Sequence, residues 1–216
     1  MLELFILGVF AYLIGSIPTA VWVGKGFYEI DIRDYGSGNA GATNTFRVLG
    51  TGPGIAVLLM DMVKGCAAAG LVYLQHEITW VDQFHWVNLK LIYGGLAVLG
   101  HLYPIFADFR GGKGIATLFG VIVAIHYLPA LACAAVFLTI LLATRYVSLS
   151  SITAAIAFPI LTVVVFQKDN PYFIAFGVCA AVLVLFTHQK NIKRLLLGSE
   201  GKANIYRKRK NRNAIR

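Results

Sequence analysis

The sequence predicts an all-α, polytopic membrane protein of about seven transmembrane helices, and three observations carry that expectation. Of the 216 residues, 58% are hydrophobic and 13% charged, against roughly 25% charged in an ordinary soluble domain. Mean hydropathy is +0.72. The apolar residues collect into seven runs joined by short polar loops, at 2–24, 53–74, 89–107, 114–126, 128–144, 149–166 and 172–187. A chain of 216 residues has room for about that many spans of roughly twenty residues and none for a separate soluble domain. Residues 1–200 are therefore expected to form one transmembrane domain and 201–216 a basic tail.

The first run opens M-L-E-L-F-I with no basic flank and no small-residue cleavage site, so it is expected to stay as the first span. The fourth run is short. The charges sort by side: Lys25, Arg33 and Arg47 follow the first run, Arg110 and Lys113 the third, Arg145 the fifth, and a dense basic tail the seventh. The loops after the second, fourth and sixth carry only Lys90 and Lys168. The positive-inside rule then puts the amino terminus outside and the carboxyl terminus in the cytoplasm. Were the fourth and fifth runs one long broken helix, the later loops would change sides and Arg145 would part from the first loop.

On the cytoplasmic side so defined lie three polar clusters. Residues 36–47 read G-S-G-N-A-G-A-T-N-T-F-R. Gly36, Gly38 and Gly41 let backbone N–H groups turn toward one point; Ser37, Asn39, Thr43 and Asn44 add neutral donors; Arg47 adds a planar fork. Such a loop suits a phosphate, although the same residues are common in plain turns. The second cluster, residues 100–114, reads G-H-L-Y-P-I-F-A-D-F-R-G-G-K-G. It sets Lys113 among Gly111, Gly112 and Gly114 just before a helix start, where a mobile cation meets the partial positive charge of the helix. It is not a Walker A loop, because G-x-x-x-x-G-K-[ST] is absent. The third, T-H-Q-K-N-I-K-R-L at 187–195, places His188, Asn191 and Leu195 on one helical face. His188 could bond a phosphate or take a proton.

Arg145, Ser148, Ser150 and Ser151 offer one charge and three hydroxyls to a polar pocket, or cap a helix. Asp61 and Lys64, three apart in the second run, are expected to form an ion pair that supports the site. Cys66, Cys133 and Cys179 lie in apolar runs without chelating or redox spacing and are read as buried small hydrophobes. No histidine pair has metal-ligand spacing, so no metal and no cofactor are expected. The basic tail suits anionic lipid; nucleic acid is not needed to explain it.

In chain order, G-S-G-N-A-G-A-T-N-x-x-R, D-x-x-K-G, G-H-x-x-P-x-F-x-x-F-[KR]-G-G-K-G and H-x-x-N-I-x-R-L resemble the bacterial PlsY family, the acyl-phosphate:glycerol-3-phosphate acyltransferases, over about residues 8–200. The resemblance implies a seven-span enzyme of the bacterial cytoplasmic membrane, its active site facing the cytoplasm. It would move a fatty acyl group from acyl phosphate to the 1-hydroxyl of glycerol 3-phosphate, giving lysophosphatidic acid and phosphate, the first step of phospholipid synthesis. The family needs no metal, and docking of a soluble acyl-phosphate-forming enzyme would be in keeping with it.

Two phosphorylated substrates give three basic clusters a reason to converge. Ser37, Arg47 and Lys113 are expected to hold the acyl phosphate, and His188, Asn191 and residues 145–151 the glycerol 3-phosphate, with the reverse assignment open. The His-x-x-x-x-Asp dyad of acyl-CoA-dependent acyltransferases is absent. This matches the family's proposed mechanism, in which the phosphate of the acyl donor takes the hydroxyl proton, with His188 as the alternative base. The rival classes are a transporter, opposed by the lack of an inverted repeat, and a lipid-binding scaffold, for which the glycine loops would be superfluous.

Overall fold

The computed structural model describes residues 2–75, 83–168 and 170–203; most of the expected basic tail, 204–216, lies outside the described residues. The described chain is a bundle of helices. The first apolar run is two of them, α1 (Leu2–Gly15) and α2 (Thr19–Tyr28), bent by 44°. Pro18, at the break, lacks an N–H and frees carbonyls of the preceding turn. At the same break the Ile17 carbonyl accepts from the Thr19 N–H at 3.0 Å and, from the next span, from Lys64 Nζ at 2.9 Å.

A short helix, α3 (Ala42–Val48), leads into α4 (Thr51–Gly70) and α5 (Gln83–Leu102). Then come α6 (Ile115–Ile125), α7 (Tyr127–Thr144) and α8 (Val147–Ile160). Pro159 near the end of α8 breaks the regular ladder, and the chain widens into a π turn over Leu161–Val165. The last two described helices are α9 (Pro171–Thr187) and α10 (Gln189–Leu196), which are bent by 63° at His188. Asn170 caps α9, its side chain accepting from the N–H groups of Tyr172 and Phe173.

Among the described residues, four segments are long and apolar enough to cross a bilayer, and the two bent pairs bring the number to at most six. The expected span left out of that number is the fourth run, α6, whose 11 residues rise only about 16 Å, roughly half the hydrocarbon thickness. The cause is local: glycines precede it, and His126 turns extended at φ −146° before α7 restarts the helix. α6 and α7 are not one broken helix. Lys113, before α6, reaches Asn191, while Ser148, just past α7, reaches Glu200, which also binds Asn191. Both ends of the pair therefore sit at one end of the bundle, as a hairpin requires.

Hydrophobic side chains cover the outside as well as the inside, the pattern of a protein dissolved in lipid. Leu128, Leu131, Leu138 and Leu142 of α7 all face outward. Inside, α4 and α6 touch backbone to backbone. A Cβ on Gly65 would lie 2.1 Å from the Thr117 carbonyl oxygen, and one on Gly120 would lie 2.0 Å from that of Met62. Such close crossings are how membrane helices gain packing energy without a hydrophobic driving force. Gly65→Val or Gly120→Val is therefore expected to cost about 3 kcal/mol, the upper end of overpacking, seen as a lowered unfolding temperature in detergent.

Cys133 is buried as expected, and Cys66 is half-buried with its thiol donating to the Gly120 carbonyl. Cys179 is exposed on α9, contrary to expectation. An apolar run does not report which of its faces meets protein and which meets lipid.

Candidate active site

The first loop is built around Asn44. Its amide nitrogen donates to the carbonyls of Ile32 at 2.9 Å and Tyr35 at 3.0 Å. Its Oδ1 accepts from the Ser37 N–H at 2.8 Å and from Ser37 Oγ at 3.1 Å. Gly36 and Gly38 adopt φ of 63° and 72°, and a Cβ on Gly36 would strike Asn44 Oδ1. Asn44 is buried and spent on the loop, whereas Ser37, Thr43 and Arg47 remain exposed and Asn39 and Gly41 half-buried around it.

Arg33 joins this loop to the second. It grips Asp31 through Nε at 3.0 Å and Nη2 at 2.7 Å, and its Nη1 donates to the Ala107 carbonyl at 2.8 Å. The Arg33 hydrogen bonds hold the Asp31 carboxyl well below the usual carboxylate range.

After Ala107 the chain reverses through Asp108 and Phe109, both at φ 55°, a conformation that non-glycine residues rarely adopt. It then lies back on the end of α5: Gly111 N–H donates to the Leu102 carbonyl at 3.2 Å and Gly112 N–H to that of His101 at 3.1 Å. Gly112 has no room for a side chain, since a Cβ there would lie 2.2 Å from His101 Nε2 and 2.9 Å from the Ala40 carbonyl oxygen. The two loops thus touch at Gly112, and Lys113 emerges beside the contact, half-buried.

Lys113 Nζ donates to Asn191 Oδ1. Burial lowers its ammonium to about 8; Glu200 opposes the shift, and the nearby Arg194 and Arg47 add to it. Asn191 Nδ2 donates to Glu200 Oε1 at 2.6 Å, Ser148 Oγ to the same oxygen at 2.8 Å, and Arg194 Nε to Oε2 at 2.6 Å. Burial would raise the Glu200 carboxyl, but these bonds outweigh it and hold it below its ordinary value. Arg47 lies over Gly201, whose Cβ would come within 3.3 Å of Nη2.

His188, at the bend after α9, is 3% exposed. Its Nδ1 lies 2.8 Å from the Val184 carbonyl oxygen, so Nδ1 carries the proton and Nε2 is the acceptor. Burial and the charge of Lys113 push the imidazole down to about 4, so it is neutral at pH 7.

Residues 5–198 match the family model Glycerol-3-phosphate acyltransferase. A glycerol-3-phosphate acyltransferase of Chlorobium chlorochromatii is 40% identical over 94% of this chain and 97% of the relative. The chain belongs to the glycerol-3-phosphate acyltransferase family. The fold matches the crystal structure of PlsY (YgiH), an integral membrane glycerol 3-phosphate acyltransferase, in its glycerol 3-phosphate form, with TM-score 0.80 and 38% identity over 93% of this chain and 96% of that one. It also matches the lysophosphatidic acid form of the same protein, with TM-score 0.77 and 38% identity over 92% and 94%.

In this acyltransferase family member, Arg47, Lys113, His188, Asn191 and Ser148, spread over more than a hundred positions, come together at one end of the bundle. Ser150 and Ser151 are turned inward instead, donating to the carbonyls of Tyr146 at 2.8 Å and Val147 at 3.0 Å within α8. Arg145 ends α7 at φ 63°, its carbonyl accepting from Ala203 N–H at 2.7 Å. Sequence reasoning missed Glu200 and Arg194 as members of the site. An acid among basic clusters runs against an anion-site pattern, and the only signal was that Glu200 is the lone acid in the stretch from 170 onward.

Proposed function

We propose that this enzyme transfers a fatty acyl group from acyl phosphate to the 1-hydroxyl of glycerol 3-phosphate, yielding lysophosphatidic acid and phosphate. The observation that carries the proposal is the convergence of Arg47, Lys113, Asn191 and Ser148 from four separate segments on one cationic cup. Lysophosphatidic acid and glycerol 3-phosphate are the ligands of the similar PlsY structures. Residues 1–200 form the catalytic domain, with α6 as a short seventh crossing. The basic loops and the tail from 201 face the cytoplasm of a bacterial inner membrane, where the tail meets anionic lipid or a soluble acyl-phosphate-forming enzyme.

Ser37, Arg47 and Lys113, with Gly36, Gly38, Asn39, Gly41, Thr43 and Asn44 forming the loop, hold the acyl phosphate. Gly111 and Gly112 set the height of Lys113. His188, Asn191, Ser148 and the 145–151 segment place glycerol 3-phosphate. An acyl phosphate is already an activated mixed anhydride, so alignment of the hydroxyl and neutralisation of the departing phosphate supply most of the catalysis. The hydroxyl oxygen attacks the acyl carbon, the C–O bond to phosphate breaks, and the leaving phosphate takes the proton. No enzyme-bound acyl intermediate is involved.

A neutral His188, its basicity held well below that of free imidazole by burial and by Lys113, supports the substrate-assisted route, with Nε2 accepting a hydrogen bond from the glycerol hydroxyl. Lys113 must be charged to hold a phosphate. It is protonated below about 8 and loses its proton above, so turnover is expected to fall as pH rises through about 8; a pH–rate profile flat to pH 10 would contradict this. Purified protein given palmitoyl phosphate and labelled glycerol 3-phosphate is expected to form labelled lysophosphatidate. No product with this donor, and product with acyl-CoA, would overturn the donor assignment.

A further inference from the structure

Beneath the two loops lies a polar cluster that takes no direct part in the chemistry above. Asp61 and Lys64 on α4 pair at 2.9 Å and are 1% and 5% exposed. Thr19, at the start of α2, donates to Asp61 Oδ1 at 2.6 Å, and Lys64 holds the Ile17 carbonyl at the α1–α2 break. His101, near the end of α5, sets Nδ1 3.6 Å from Asp61 Oδ1 and 3.1 Å from Thr117 Oγ1 on α6. Four helices and the α1–α2 break are therefore tied together through one buried ion pair and the His101 ring beside it.

The other edge of the His101 ring is the floor of the loop contact. Nε2 fills the space where a Gly112 side chain would go, and the His101 carbonyl takes the Gly112 N–H. The Ala40 carbonyl of the first loop closes on the same point of Gly112. A ring held at one edge by Asp61 and Thr117 and pressed at the other against Gly112 fixes how high Lys113 stands above the bundle. The cost of three ionisable groups in a membrane interior is large, and a mere helix staple would not need one of them to lie under the glycine next to Lys113.

We propose that His101, seated by Asp61, Lys64 and Thr117, is a positioning residue that sets Lys113 and the first loop in register for the reaction. The inference rests on the acyl transfer proposed above only for the name of that reaction; the placement of Lys113 is testable without turnover. With the ring removed, Gly112 drops into the vacated space, and Lys113 leaves the half-buried position it shares with Asn191, Glu200, Arg194, Arg47 and His188.

The test is the pH dependence of Lys113 acylation by a water-soluble succinimidyl ester, read by mass spectrometry on the full chain in detergent, beside kcat and KM. His101→Ala is expected to move the Lys113 titration up by at least one pH unit and to lower kcat about thirtyfold with less than a threefold change in KM for glycerol 3-phosphate. His101→Gln, which keeps a polar group near Nε2, recovers part of both. If His101→Ala does not fold, Thr117→Val carries the same readout with a smaller shift. A Lys113 titration that stays in place in whichever variant folds, or a kcat loss without any shift, overturns the proposal. Absence of wild-type turnover with an intact shift would instead overturn the reaction and leave the positioning role standing.

Discussion

Lys113→Ala is expected to lower kcat/KM by about a hundredfold to a thousandfold. The ammonium is half-buried, pointed at Asn191, and surrounded by Arg47, Arg194 and Glu200. A charge-assisted bond to a phosphate in such a partly dehydrated cup supplies about 2–4 kcal/mol of transition-state stabilisation. Arg47→Ala is expected to behave similarly but more mildly, because Arg47 is exposed and water screens part of its charge. Lys113→Arg is expected to rescue poorly, since a planar fork does not reproduce the point charge that the ammonium sets against Asn191 Oδ1. Steady-state kinetics with both substrates varied would check this, and Lys113→Ala turnover within fivefold of wild type would count against the site.

The largest effect on stability is expected from the buried ion pair. Asp61→Leu leaves the Lys64 ammonium with only the Ile17 carbonyl for company, and Lys64→Met strands the Asp61 carboxylate on Thr19 and His101. Breaking a buried pair one partner at a time costs about 3–5 kcal/mol, because the remaining charge is desolvated and uncompensated. That corresponds to a loss of about 10 °C in unfolding temperature for a chain of this size. Asp61→Leu combined with Lys64→Met removes both charges and is expected to recover more than half of the loss. Thermal unfolding of the four proteins in one detergent completes the cycle; additive losses in the double variant would mean that the two residues do not act as a pair.

Composition and charge made the class, the approximate spans and the three clusters legible, because each is written in residue type and local spacing. The ion pair at Asp61 and Lys64 was legible for the same reason, being a three-residue offset inside an apolar run. The breaks were harder to read. Pro18 turns one apparently continuous apolar run into a bent pair, and hydropathy averages over such a turn; at His188 the helix of the seventh run bends into a polar one that hydropathy does not see. α6 was read as short but its role as half of a hairpin is settled only by where Lys113 and Ser148 arrive.

Within the site, residue type announced a donor without saying whom it serves. Asn44, Ser150 and Ser151 carry the right groups yet give them to neighbouring carbonyls and to Ser37. Glu200 was passed over because an acid runs against an anion-site pattern, and His101 because its partners on α4 and α6 lie far away in sequence. Glu200 draws together Ser148, Asn191 and Arg194, and His101 bears on Gly112 through a glycine that offers nothing but space.

Structure determination with glycerol 3-phosphate and a non-transferable acyl phosphonate bound together tests the shared cup most directly. Both phosphorus atoms are expected at the α6 N-terminal end of the bundle, one within reach of Ser37, Arg47 and Lys113 and the other within reach of Ser148, His188 and Asn191. A phosphoryl group bound at the opposite end of the helices, or bound without any contact from one of the three clusters, would contradict it.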